Sequence, residues 1–302
     1  MSAFWDAWHK EIIRGATLFC AVLAIGFFAH FLAGRVKEGV KSLPVALRDL
    51  RSEFAPDAGG GPRTTGGSWT YRAKVAAKQS VSIRNVRGSI TVEPATGDSL
   101  QVTAVKTYRS SDTGSVRLVA APYDGGIAVC AVWQGGDQTC GPEEGDLKLG
   151  GPRRNDVAVA FTVRLPRNVR LSATTFAGDV HVTGARAPLI IHTVSGDIDV
   201  ATTRGPVRAE SMNGDVRIQM QAFADTGAVS ATTWNGSLTA ELPAQLDADV
   251  EAKTGNGSIT TDYPLTVNGK FMGHDVKGTL GRGGRLVHLE TVNGSIKLKK
   301  AL

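Results

Sequence analysis

Thr193-Val-Ser-Gly-Asp-Ile198 and, eighteen residues on, Ser211-Met-Asn-Gly-Asp-Val216 are two copies of one pattern. It reads Ser or Thr, any residue, a small or amide residue, Gly, Asp or Ser, then an aliphatic. Thr175-Phe-Ala-Gly-Asp-Val180 precedes them, and Thr233-Trp-Asn-Gly-Ser-Leu238, Thr254-Gly-Asn-Gly-Ser-Ile259 and Thr291-Val-Asn-Gly-Ser-Ile296 follow. Asn85-Val-Arg-Gly-Ser-Ile90 is a weaker seventh copy. The glycines of the stronger copies, Gly178, Gly196, Gly214, Gly236, Gly257 and Gly294, are spaced 18, 18, 22, 21 and 37 residues apart, the last interval being close to two periods. Self-similarity at a fixed period is the mark of a repeat architecture.

Apolar and polar residues alternate on both sides of each glycine. Leu189/Ile191 and Val207/Ala209 lead into the corner, and Ile198/Val200 and Val216/Ile218 leave it. A period of two implies strands with one buried face. Gly, helped by Asn at positions 213, 235, 256 and 293, is expected to supply a positive φ at each corner. The constant phase favours coiling over a hairpin meander, because coiling stacks like on like. The fold class expected is therefore all-β, a β-solenoid of turns of 18–22 residues. Thr175, Thr193, Ser211, Thr233 and Thr254 would form a hydroxyl ladder, and the asparagines an amide ladder. His181, Asp199 and Arg217 would fall on successive turns, an acid between two cations. Seven to nine turns at about 4.8 Å each would make a rod of roughly 35–45 Å.

Residues 68–166 read as the same system in irregular form. Strands are expected at 69–75, 80–83, 89–92, 100–106, 116–121, 127–133 and 157–165, with excursions at 109–114 and 134–154. Lys297 and Lys299 on the last strand would guard an open edge.

Upstream, residues 15–34 (GATLFCAVLAIGFFAHFLAG) carry no formal charge and are long enough to cross a bilayer. Arg14 and Arg35 bracket them, Trp5 and Trp8 lie at one flank, and Cys20 within is a small hydrophobe. The apolar run exceeds that of an ordinary signal peptide and ends on no clean A-x-A site. The expected organisation is an N-terminal flank 1–14, a transmembrane anchor 15–34, and then an amphipathic stretch and Gly/Pro linker 35–67. The β-solenoid domain would occupy 68–302.

Orientation is argued both ways. Lys10 and Arg14 precede the span, whereas Arg35, Lys37, Lys41, Arg48 and Arg51 follow it, which favours a cytoplasmic C-terminal side. Cys130 and Cys140 flank a turn-rich stretch and suit a loop-closing disulfide, which persists only in an oxidising compartment; two unrelated thiols are the other reading.

Composition excludes several functions. Three cysteines rule out a disulfide-dense scaffold and a double CxxC zinc site. The net charge of +6 is spread along the chain without aromatic interleaving, which argues against nucleic acid. No nucleophile elbow, H-E-x-x-H, P-loop or strand-linked G-x-G-x-x-G occurs. The histidines at 9, 30, 181, 192, 274 and 288 lack metal-ligand spacing. Asp179, Asp197 and Asp215 form an acid column beside the corners. Such a column could take Ca²⁺ or serve a polysaccharide enzyme, but Asp after a turn Gly ordinarily bonds local backbone N–H groups, and Ser replaces it at 237, 258 and 295. Phe176, Met212 and Trp234, with Val194 and Val292, share one position, expected to be core at a corner; facing outward it would suit a protein or glycan partner.

Arg87-Gly-Ser-Ile-Thr-Val-Glu93, Val163-Arg-Leu-Pro166, Ser195-Gly-Asp-Ile198, Asn213-Gly-Asp-Val216 and Asn293-Gly-Ser-Ile296 carry a family likeness. Over about residues 70–300 the chain resembles the putative-adhesin family of bacterial β-strand-repeat proteins, also called toast-rack domains. The resemblance implies a membrane-anchored envelope protein, in some members tied to envelope stress, with no catalytic residues or cofactors to carry over. The expected function is a non-enzymatic, membrane-anchored envelope β-solenoid for binding, adhesion-like contact or stress sensing, with the domain in the periplasm or at the cell surface. The alternatives are a cytoplasmic-facing polymerising scaffold resembling the bactofilins and a polysaccharide-processing β-helix enzyme.

Overall fold

The computed structural model describes residues 62–134, 140–142, 155–202, 204–223, 227–267 and 275–301. All of them belong to the unit Gly59–Leu302. The expected anchor at 15–34 and the flanks 1–14 and 35–61 lie outside the described residues. Among the described residues no helix is long and apolar enough to cross a membrane.

The period-two alternation becomes strands wherever it was legible. The N-terminal half contributes β1 (Thr64–Lys74), β2 (Ser80–Arg84), β3 (Ile90–Pro94), β4 (Ser99–Tyr108), β5 (Val116–Tyr123), β6 (Gly126–Trp133) and β7 (Ala158–Leu165). The repeats give β8 (Arg170–Ala177), β9 (Val180–Thr183), β10 (Leu189–Ser195), β11 (Ile198–Thr202), β12 (Val207–Asn213), β13 (Val216–Met220), β14 (Val229–Asn235) and β15 (Leu238–Leu242). The chain ends with β16 (Ala248–Asn256), β17 (Ile259–Thr261), β18 (Thr266–Val267), β19 (Asp275–Leu280), β20 (Leu286–Asn293) and β21 (Ile296–Lys300). β1 starts at Thr64, inside the stretch expected to be linker, because Arg63 ties the chain to Thr107 before the strand begins.

Each repeat gives one strand to each of two sheets. One sheet runs β1-β4-β7-β3-β9-β11-β13-β15-β21-β17, the other β18-β19-β16-β20-β14-β12-β10-β8-β2-β6-β5. Among the described residues, eight parallel strands in each sheet make eight stacked turns, and antiparallel strands add to both ends. Register is in phase, Leu171 beside Leu189 beside Val207 beside Val229 beside Val287. The facing interiors bury Val180, Ile198, Val216, Leu238 and Ile296 at 0–1% exposure as one column. Burying a side chain of this size contributes about 1.5–3 kcal/mol each.

Stacking order departs from chain order at both ends. The first turn, β2–β3, lies inside the later turn β6–β7. The last turn, β20–β21, inserts between β14–β15 and β16–β17. Two expectations are corrected. The 37-residue interval is not two periods of a sequential coil; it holds the β18–β19 excursion, after which the chain returns to an inner position. Nor do Lys297 and Lys299 guard an edge, since β21 pairs on both sides; the edge beyond it is β17, only three residues long. At that end Tyr263 is buried, its hydroxyl donating to the carbonyls of Leu242 and Pro243 at 2.7 and 2.9 Å. Burial, reinforced by the charge of Asp262, pushes that hydroxyl up to about 12.

Candidate functional site

The repeat corner is where sequence and geometry meet. The corner glycines are required by space. A Cβ on Gly196 would sit 2.1 Å from the carbonyl oxygen of Gly178, and one on Gly214 2.0 Å from that of Gly196. Their φ values, 152° and 157°, are positive, a backbone conformation that side-chain-bearing residues rarely adopt. The expected positive φ is thus found at the corner glycines, and close stacking is a second reason for glycine there. Asn213, Asn235, Asn256 and Asn293, expected to help, do not share it, since Lys78 is the one described non-glycine residue with positive φ.

Three ladders run along this corner. Buried Thr175, Thr193, Ser211, Thr233, Thr291 and Thr254 each donate a hydroxyl to the corner glycine carbonyl of the neighbouring turn, at 2.7–3.3 Å. The hydroxyls therefore bond backbone and not one another. The amide ladder passes from Asn256 to Asn293 (2.8 Å), Asn293 to Asn235 (2.7 Å) and Asn235 to Asn213 (2.8 Å), each Nδ2 donating to the next Oδ1. In the third column Asp179 Oδ1 accepts the N–H of Asp197, Asp197 that of Asp215, and Asp215 that of Ser237, at 2.7–2.9 Å. Ser237, Ser295 and Ser258 continue it. Among the described residues, no three or more His, Cys, Asp or Glu side chains are placed to hold a metal ion.

In the column of Phe176, Val194, Met212, Trp234 and Val292, Phe176 is buried as expected, whereas the other four are half-buried or exposed. The residue before each of them is the buried hydroxyl, so this position points outward. Phe176 is 7% exposed and Met212 41%, and Val194, Trp234 and Val292 are half-buried. Insertion of β20 makes the column contiguous, with Val292 beside Trp234 and Gly255 on the outermost turn.

The outer sheet faces carry two ionic clusters that the sequence reading missed. His192 Nδ1 lies 3.1 Å from Glu210, whose other oxygen accepts Arg208 Nε at 2.6 Å. Burial pushes the Glu210 carboxyl up, but the His192 hydrogen bond and the charges of His192 and Arg208 bring it down to about 2. His288 sits between Glu251 on β16 and Glu290, at 3.5 and 3.4 Å. The Glu290 hydrogen bond raises its pKa against burial, and Glu251 adds to the rise. The shared strand phase was the available signal. His181, Asp199 and Arg217 do fall in register, yet Arg217 reaches past Thr239 to Glu241 at 2.7 Å. His9, His30 and His274 lie outside the described residues. Cys130 and Cys140 are bonded, S–S 2.06 Å, and cluster with Ala128 and Val132 on the outer face of β6.

The family model described as Toastrack DUF4097 matches residues 70–299. The chain belongs to the Toastrack family. Among solved structures, this Toastrack chain is similar to a putative cell adhesion protein from Clostridium sporogenes, at 13% identity over 78% of this chain and 100% of that one, TM-score 0.45. A putative adhesin from Bacteroides fragilis shares 13% identity over 78% and 97%, TM-score 0.35. No curated protein matches the chain.

Proposed function

We propose that the chain is a non-enzymatic binding module of the bacterial envelope, tethered to the membrane by residues 15–34 and presenting residues 64–301 for adhesion-like contact. One observation carries this reading: the polar side chains of the repeat corner are committed to ladder bonds. Asp179, Asp197 and Asp215 each accept a backbone N–H from the adjacent turn, which holds them apart in single file. General acid–base chemistry on a sugar needs two carboxyls facing one bond, whereas single file suits a rigid template. Membership of the Toastrack family supports the reading. The Cys130–Cys140 bond favours an extracytoplasmic domain over the cytoplasmic scaffold, against the cations that follow the span.

Protease protection in spheroplasts, with maleimide labelling of Cys130 and Cys140 before and after reduction, tests the placement. Digestion from outside with thiols blocked until reduced is expected. Protection with free thiols would overturn it in favour of a cytoplasmic scaffold. Retention of cells on surfaces coated with isolated envelope material should fall when residues 62–302 are deleted; unchanged retention would remove the adhesive role.

A further inference from the structure

The corner offers a linear template of mixed chemistry, and we propose that it binds a linear β-1,4-linked amino-sugar polysaccharide lying along the stack, one sugar per turn. This rests on the binding-module reading and names its ligand class.

Four features of one surface carry the inference. The first is the apolar column Val194, Met212, Trp234, Val292, outward on four adjacent turns and exposed at Met212. Sugar rings carry C–H faces that pack on such a strip, best on the indole of Trp234. Second, the amide ladder runs beside it, with Asn213, Asn235, Asn293 and Asn256 exposed. A carboxamide has two donor hydrogens and two acceptor lone pairs. An amide in the middle of the ladder spends one donor and one acceptor along the stack, so one N–H and one lone pair remain. The ladder also fixes which end of each amide is which. The result is a row of pre-oriented donors and acceptors, the complement of a row of hydroxyl and acetamido groups, and pre-orientation lowers the ordering cost of binding.

Third, the spacing is regular. Strands stack about 4.8 Å apart, close to the advance per residue of an extended β-1,4-linked pyranose chain, so one sugar falls beside each turn and, because successive sugars are turned by half a turn, alternate turns meet equivalent sugar edges. The inserted turn matters here: without β20, Gly255 would follow Trp234 and the strip would end there. Fourth, carboxylates line one border. Asp179, Asp197 and Asp215 border the strip, and among the described residues none of them is in an ion pair. Their field repels polyuronates and nucleic acids and tolerates acetamido or ammonium sugars.

The test is calorimetric titration of the full-length chain in nanodiscs with the β-1,4-linked N-acetylglucosamine hexamer, the glucosamine hexamer and an alginate hexamer. Binding of the N-acetylglucosamine hexamer is expected, with Trp234→Ala weakening it about tenfold or more and Trp234→Phe, which keeps a ring face, within about threefold. Asn235→Ala should weaken it too, and Thr239→Ala, on the outer face of the other sheet, should not. Asp197→Asn keeps an acceptor for the Asp215 N–H and should reduce the glucosamine hexamer's affinity selectively. No binding by the unaltered chain, equal affinity in Trp234→Ala, or alginate binding as tight as the amino sugars would each overturn the proposal. A change in oligomeric state in Trp234→Ala without hexamer binding would mark the strip as an interface between copies and would also overturn it. If the hexamers fail while envelope retention persists, the ligand class falls and the binding-module reading stands.

Discussion

At the scale of single residues, the corner glycine is the least replaceable position in the repeat. Gly214 is packed against the carbonyl of Gly196, and the atom that would have to move is backbone on both sides of a continuous ladder. Gly214→Ala should therefore destabilise the domain by about 3 kcal/mol, the upper range for forcing an extra methyl into a packed interior. Gly67→Ala, where an added Cβ meets nothing within 4 Å, should stay within about 0.5 kcal/mol. Urea unfolding of both variants checks this; equal midpoints would show that the stack breathes enough to admit a methyl. The hydroxyl before each glycine has the complementary task. Its donation satisfies a part-buried carbonyl of the neighbouring turn, and a net bond of this kind contributes about 1 kcal/mol.

At the scale of elements, the last turn is a wedge. β20 pairs with β14 and β16, and β21 with β15 and β17, so the chain's final repeat is an interior layer. Ending the chain at Leu280 removes four buried aliphatics, Val287, Leu289, Ile296 and Leu298, a loss of about 6 kcal/mol or more. It also leaves β14–β15 and β16–β17 without their shared partner. Hydrogen exchange should show protection lost across 248–261 and weakened across 229–242. Retained protection at 248–261 would mean that this turn re-stacks directly on β14–β15, which its equivalent Thr254, Asn256 and Gly257 would permit.

At the scale of the whole folded unit, the two ends of the stack differ. One end finishes in β1, eleven residues, and β5, eight; the other in β17, three residues, and β18, two. Long edges cannot satisfy their N–H and C=O groups on such short ones, and short edge strands blunt addition. Head-to-tail filaments of the bactofilin kind are therefore not expected. Negative-stain electron microscopy of the purified chain should show discrete particles at any concentration, and filaments would restore the scaffold reading. The disulfide belongs to this scale as well. It joins β6 to the segment at Cys140 near the β5 edge, away from the repeats and their strip.

What the sequence determined by itself was everything local and periodic. Alternation at Val207/Ala209 and Val216/Ile218 specifies two half-buried strands, and the Gly between them specifies a corner, because these depend on neighbours within a few residues. Strand after strand in the irregular half was legible for the same reason. The tertiary structure decided what depends on distant chain. Only stacking shows that Gly178 leaves no room for a Cβ on Gly196, that Thr193 bonds a carbonyl, and that Met212 faces water. Only topology shows that Thr291 and Asn293 lie between Thr233 and Thr254 and between Asn235 and Asn256. Equivalent repeats carry the same residues at the same phase, so their sequences are interchangeable in the stack and cannot state their own order. That order is set by the excursion through β18 and β19, and with it the continuity of the ladders and of the candidate binding strip.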